Sequence, residues 1–226
     1  MDEVSRILKD KKVVLFDFDG TLVDSMGMWG EVDKSILRLH GLPIPDNFTE
    51  EFMFPLIPLT EEETAQFFLD YGCKGTVKTI LDQIEQLSQE QYEQYIEAKP
   101  GVKTLVETLR ERGVKLGLVT AATIGRILPC LARNGMTGYF HLILNCDHVG
   151  LPKTDPAIYR MALEHFGVEP HDAVFFDDNL TAIRTAQSVG IATVGVYDAH
   201  ADNTWGEMQA TADATIRDFT GLCEQI

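Results

Sequence analysis

Short β-rich apolar runs alternate with segments of helical period along most of this sequence, and that rhythm leaves few folds open. The runs are Lys12–Asp17, Val114–Thr120, His141–Asn145, Ala173–Asp177, Ile191–Val196 and, more weakly, Ala214–Ile216. They are nearly continuous in apolar character instead of alternating, which is the pattern of parallel strands covered on both faces. Helix punctuation lies between them. Pro100-Gly101 precedes a helix over Val102–Arg112 that ends at Gly113, and Asp155-Pro156 supplies an N-cap and a first helical residue, with Gly167 at the far end. Asn179 can cap a helix that stops at Gly190. Repeated strand–helix–strand units of this kind predict an α/β fold, a Rossmann-like, doubly wound parallel sheet.

One interval departs from the rhythm. Between the first run and Pro100 the periodicity marks helices and no strand. Leu22, Met26, Trp29, Val32, Ile36 and Leu39 trace one amphipathic helix ending at Gly41-Leu42-Pro43. Thr60-Glu61-Glu62-Glu63 is a capping box opening a second helix through Asp70. Val77, Ile80, Leu81, Ile84 and Leu87 mark a third, and Ser88-Gln89-Glu90-Gln91 offers a cap for a fourth before Ala98. The expected organisation is a discontinuous core, residues 1–23 and 99–226, with an all-helical cap domain at 24–98 placed as a lid over the end of the first strand. At 226 residues and 45% hydrophobic the chain can bury a core without staples.

Charge and cysteine usage exclude several classes of partner. The formal net charge of −16 repels phosphate backbones and anionic lipid, so neither nucleic acid nor a membrane surface is an expected partner. Cys73, Cys130, Cys146 and Cys223 form no CxxC pair and no ligand-spaced cluster with the six histidines, as in a reduced, cytoplasmic protein. The start, Met1-Asp2-Glu3-Val4-Ser5-Arg6, is acidic and lacks the apolar stretch of a signal peptide, and no apolar run is long enough to span a bilayer.

In open α/β sheets the ligand sits at the carboxyl ends of the strands. The polar residues there are Asp17 and Asp19 after the first run, Thr120 and then Ala121 after the second, Lys153 after the third, and Asp177-Asp178 at the end of the fourth. Four acids in one crevice repel each other unless a cation sits among them, and an all-oxygen set without His or Cys suits Mg²⁺. Lys153, the one cationic side chain of the set, could join that metal in neutralising a phosphoryl group. A carboxylate can attack phosphorus, so Asp17 is the candidate nucleophile. Asp19 is positioned by sequence to protonate the leaving oxygen and later to deprotonate water.

Phe16-Asp17-Phe18-Asp19-Gly20-Thr21-Leu22-Val23-Asp24-Ser25 resembles the DxDGT signature of the haloacid dehalogenase superfamily. Leu118-Val119-Thr120, Lys153 within Lys153-Thr154-Asp155-Pro156, and Phe176-Asp177-Asp178 are similar to its second, third and fourth motifs, in order. The resemblance implies an aspartyl-phosphate mechanism with Asp17 as nucleophile and metal ligand and Asp19 as acid/base whose backbone carbonyl also reaches the metal. It implies that Thr120 and the backbone N–H of Ala121 hold the phosphoryl group, that Lys153 bridges Asp17 and phosphate, and that Asp178 binds Mg²⁺ directly with Asp177 acting through water. Gly20 and Thr21 would begin the turn that couples cap movement to the site.

The chain departs from the family pattern at Ala182, where many relatives carry a third acid, and at Thr154, where Lys-Pro is common. An acid at Asp19 favours phosphate-ester chemistry over dehalogenation. The expected activity is a Mg²⁺-dependent phosphomonoester hydrolase, a phosphatase acting on a small phosphorylated metabolite. The alternatives are a phosphomutase of the β-phosphoglucomutase type and a non-catalytic binding protein retaining the fold. Trp29 stands where that mutase type uses a cap histidine, which counts against the first. Arg126 is expected to be a solvated helix arginine. Residues 24–98 carry a net charge of −11 and the remainder −5, so an uncharged leaving group is favoured over one with a second anionic pole.

Overall fold

The structure, a computed structural model, describes residues 3–56 and 59–222. Cys223 and the first two residues, on which part of the compartment reading rests, lie outside the described residues. Six strands form one sheet: β1 Val13–Phe16, β2 Lys115–Thr120, β3 Leu142–Asn145, β4 Ala173–Asp177, β5 Ala192–Val196 and β6 Ala214–Ile216. All neighbours pair in parallel, and the spatial order is β3-β2-β1-β4-β5-β6. This is the doubly wound α/β sheet expected from the sequence. The order reverses direction between β1 and β4, so the crevice beyond their carboxyl ends is the topological switch point.

Both faces of the central strands are covered, which is why the runs read as continuous. Val13, Leu15 and Phe175 pack with Ile158 and Ala162 of helix Pro156–Phe166 and with Ala182 and Ala186 of helix Leu180–Ser188. On the opposite face Phe16 stacks on Phe176 with ring centroids 5.1 Å apart, and Phe219 lies against both. Register pairs Phe16 with Leu118 on one side and with Phe176 on the other. The backbone N–H of Asp17 continues this ladder by donating to Phe176 O at 2.9 Å. The first acid therefore leaves the sheet with its position set by β4.

The capping expectations hold in the sheet unit. Asp155 Oδ1 accepts from Ala157 N–H ahead of Pro156, Asn179 Oδ1 accepts from Thr181 and Ala182, and Gly167 ends its helix in the left-handed region.

The chain divides into two compact units, Met1–Met26 with Glu97–Ile226, and Gly27–Ile96. The second is built from helices Trp29–Leu39, Glu61–Tyr71 and Val77–Gln94 with a π-helical turn at Thr49–Met53. Its core gathers Val32, Ile36, Phe52, Phe68 and Ile80. Thr60 and Glu63 form the reciprocal capping box the sequence predicts.

Two expectations in this stretch need correction. The first helix begins at Trp29, not at Leu22. Leu22 and Val23 are buried in a turn whose N–H groups return to Phe18 O, so their apolar spacing serves that turn. Leu39, read as part of the apolar stripe, is exposed. No new helix starts at Ser88 either. Ser88 lies inside helix Val77–Gln94, with its hydroxyl donating back to Glu85 O at 2.9 Å, the i−3 bond a helical serine makes when it does not cap.

Candidate active site

Three strand ends deliver the charged groups. Asp17 follows β1, Asp177 ends β4 with Asp178 after it, and Lys153 lies on the loop between β3 and helix Pro156–Phe166. Lys153 Nζ is 3.0 Å from Asp17 Oδ1 and 2.9 Å from Asp177 Oδ2. Asp17, Asp177 and Asp178 each present a carboxylate oxygen within 4.8 Å of the others. Asp17 and Asp177 are buried, while Asp178 and Lys153 retain partial access.

Among these four groups, three carboxylates face one ammonium. The electrostatics follow from that surplus. Burial, reinforced by the neighbouring Asp17 charge, pushes Asp178 up to about 7. Burial also holds Asp177 well above the usual carboxylate range, with Asp17 and Asp178 adding to the effect and Lys153 opposing it. For Lys153, burial works to lower the pKa, but Asp17 and Asp177 outweigh it and hold the ammonium well above its ordinary range. The donor set, all carboxylate oxygens with no thiol or imidazole, fits a hard divalent cation.

The turn after β1 is shaped by this cluster. Thr21 Oγ1 donates to Asp178 Oδ1 at 3.0 Å and accepts from the Asp178 N–H at 3.0 Å, locking the turn to the end of β4. Gly20 has φ of +73°, and a Cβ there would meet Asp178 Oδ2 at 2.7 Å. Both the backbone conformation and the close approach therefore require glycine. Asp177 Oδ1 accepts from the Asn179 N–H at 2.6 Å, which orients its other oxygen toward Lys153.

Asp19 stands apart from the three-acid cluster. It is half-buried, and Ser25 Oγ donates to its Oδ1 at 2.6 Å, fixing the carboxyl plane. At the end of β2, Thr120 is buried and its Oγ1 accepts from the Ala122 N–H at 3.0 Å. That bond occupies an acceptor lone pair and leaves the hydroxyl proton to donate elsewhere. Ala121, the next residue, is exposed. A cavity of about 420 Å³ opens beside it, bordered by Ala121, Cys146, Asp147, Leu151, Pro152 and Lys153.

Asp17 and Asp177 are thus in direct contact with Lys153, Asp178 lies within 4.8 Å of both acids, and Ala121 and Lys153 border one cavity. Ala182 is buried in the apolar cluster under helix Leu180–Ser188, so the acid pair after β4 stands without a third partner there. Arg126 is not the solvated arginine expected: it is buried, on the same face of helix Ile124–Arg133 as Ile127 and Cys130.

Sequence reading missed three supporting residues, Ser25, Asn145 and Tyr159, and the bond that a fourth, Thr21, makes to Asp178. Ser25 and Thr21 hold Asp19 and Asp178; Asn145 ends β3 and donates to the loop after β2; Tyr159 Oη bonds to Lys153 O at 3.1 Å and Ala182 O at 3.2 Å, beneath the lysine. Thr21 and Ser25 stand within the first motif, which was the available signal. Asn145 is a local N-cap for Cys146–Val149, but its bond to Ala122 and those of Tyr159 have no local spacing that marks them.

Known proteins resemble this chain in sequence and in fold. A phosphorylated carbohydrates phosphatase of Thermotoga maritima is 25% identical over 184 residues, covering 81% of this chain and 83% of its own length. The solved structure of a predicted phosphoglycolate phosphatase from Haemophilus somnus superposes with a TM-score of 0.76 at 25% identity, covering 95% of this chain and 97% of that one. A provisionally assigned β-phosphoglucomutase from Thermotoga maritima has the same fold, with a TM-score of 0.78 at 24% identity over 91% of this chain and 94% of its own. Among the described residues, no helix is long and apolar enough to cross a membrane. The sequence model of the haloacid dehalogenase-like hydrolases matches residues 14–196, from β1 through β5, and the chain with its switch-point cluster of acids belongs to that family.

Proposed function

We propose that this hydrolase is a Mg²⁺-dependent phosphomonoesterase acting on a small phosphorylated metabolite in the cytoplasm, through an aspartyl-phosphate on Asp17. The observation that carries this is the Asp17–Lys153–Asp177 cluster, with Asp178 alongside, at the switch point of the sheet. Asp17, Asp178 and the backbone carbonyl of Asp19 would hold the metal, with Asp177 acting through water. When bound, the cation supplies charge neutralisation for the incoming phosphoryl oxygens.

The chain's own residues supply the remaining chemistry. Lys153 keeps one oxygen of Asp17 in a fixed direction and remains protonated, so it can pair with a phosphoryl oxygen. The Thr120 hydroxyl and the Ala121 N–H donate to the others. Asp17 attacks phosphorus, and the ester P–O bond breaks as Asp19 gives its proton to the departing oxygen. Asp19, now a carboxylate held by Ser25, takes a proton from water. That water's oxygen bonds to phosphorus, the bond to Asp17 breaks, and inorganic phosphate leaves.

The helical unit would act as the cap that selects the leaving group. Its acidity, −9 over Gly27–Ile96, disfavours a second anionic pole on the substrate. A sugar monophosphate with an otherwise neutral body fits that constraint, and a phosphorylated carbohydrates phosphatase is among the similar proteins. Cys73, Cys130 and Cys146 are buried and form no disulfide, which accords with a reducing compartment.

The test is hydrolysis of a panel of sugar, nucleoside and amino-acid monophosphates, with Mg²⁺ and after chelation. Phosphate release that disappears with chelator and returns with Mg²⁺ is expected, with neutral sugar esters preferred over bisphosphates. Restoration by Zn²⁺ alone would overturn the hard-metal assignment. An absolute requirement for a bisphosphate activator would move the activity to mutase.

A further inference from the structure

We infer that Asn145 is a positioning residue that sets the geometry of phosphoryl binding by tying together the two loops that border the site. The inference rests on the phosphatase reading above and deepens it. Asn145 is the last residue of β3, paired in register with Thr120 at the end of β2, and its side chain is buried. Its Nδ2 donates to Ala122 O at 2.8 Å and more weakly to Ala121 O at 3.4 Å. Its Oδ1 accepts from the His148 N–H at 2.8 Å, capping the short helical turn Cys146–Val149. One amide thus spends its donor group on the loop that follows Thr120 and its acceptor on the segment that leads to Lys153.

The consequence follows from peptide planarity. A trans peptide places N–H and C=O on opposite sides, so drawing two consecutive carbonyls toward Asn145 fixes the direction of the amides around them. One of these, the Ala122 N–H, donates to Thr120 Oγ1 and sets the hydroxyl whose proton is offered to phosphate. The other end of the clamp governs Cys146 and Asp147, which border the same cavity as Ala121 and Lys153. Asparagine is required because an aspartate of the same shape keeps the acceptor but sets a carboxylate oxygen against two carbonyls.

The test compares Asn145→Asp and Asn145→Ala with the wild-type protein in Mg²⁺. It reads kcat and KM for whichever sugar phosphate is hydrolysed best, and competitive inhibition by inorganic phosphate. Asn145→Asp should retain the cap on His148 yet lower kcat/KM by about ten- to a hundredfold and weaken phosphate inhibition by about fivefold or more. Asn145→Ala should weaken phosphate in the same sense, which keeps the test available if the aspartate variant does not fold. A purely structural role would lower the folded fraction, and with it apparent kcat, while leaving KM and the phosphate constant within about twofold of wild type. That result overturns the inference and leaves the phosphatase reading standing. A wild-type protein that hydrolyses no ester and binds no phosphate would overturn both.

Discussion

In the sheet unit Asp17 and Asp177 are buried around Lys153, at 3.0 and 2.9 Å, and Lys99 meets Asp198 at 3.1 Å. In the helical unit Asp33 is the one buried charged side chain among the described residues, and burial alone raises it to about 7. Other charges there are surface pairs such as Lys34–Glu31 and Lys78–Asp82, which contribute little to stability. Charge burial in the sheet unit is thus organised by opposite charge at the strand ends, whereas in the helical unit it is a cost borne by a single acid. The first arrangement is what chemistry on an anion requires; the second marks a place where stability has been given up.

The comparison breaks most decisively at Asp17. Asp17→Asn should reduce kcat by about a thousandfold or more while leaving the unfolding midpoint near that of wild type, because Lys153 keeps Asp177 as its partner. Steady-state assay and thermal melting check both halves, and residual activity above about one percent would remove Asp17 as nucleophile.

Asp33 sharpens the other side. Its carboxyl binds a proton more tightly folded, near 7, than unfolded, near 3.8, so its contribution to stability is full below about pH 4 and is lost as pH rises to about 7. Asp33→Asn should therefore be more stable than wild type by roughly 2–3 kcal/mol at pH 8, with the difference vanishing near pH 4. Denaturant titrations at the two pH values measure it; equal stabilities at pH 8 would show that the carboxylate is well solvated.

The smallest effect concerns the metal. Because Asp178 titrates near 7 without a cation, Mg²⁺ must displace a proton below that pH. Its affinity should rise about fivefold from pH 6 to pH 7, reach about tenfold by pH 8 and flatten above, as read by calorimetric titration. Affinity independent of pH over that range would place Asp178 outside the binding set.

Much of this was legible in the sequence because parallel strands announce themselves twice, by continuous apolar runs and by the polar residue at which each run stops. Phe16-Asp17 and Phe176-Asp177 carry both signals. The start of the first helix was not legible, since Leu22 and Val23 have helical spacing but fold into a turn fixed by the fit of Gly20 and Thr21 against Asp178. Asn145 and Tyr159 escaped for a related reason. A buried amide or phenol is recognised by its partners, and these partners, Ala122, Lys153 and Ala182, are joined by topology and not by spacing. Arg126 was misread because an amphipathic helix can bury an arginine along with its apolar face.

The reciprocal bond between Thr21 and Asp178 spans 157 residues of chain. A ribosome adding about 5–20 residues per second needs roughly ten to thirty seconds to travel that distance. During most of that time the segment bearing Asp17 exists without Lys153 to balance it, and it lacks a completed β4 beside β1 throughout. The outer strand β6 is dispensable to the charge cluster, but β4 is not. The nascent chain therefore carries an early motif that becomes chemically competent late, and a product truncated before Ala173 would expose β1 as an unpaired edge on its β4 side, a liability for aggregation before it is ever an enzyme.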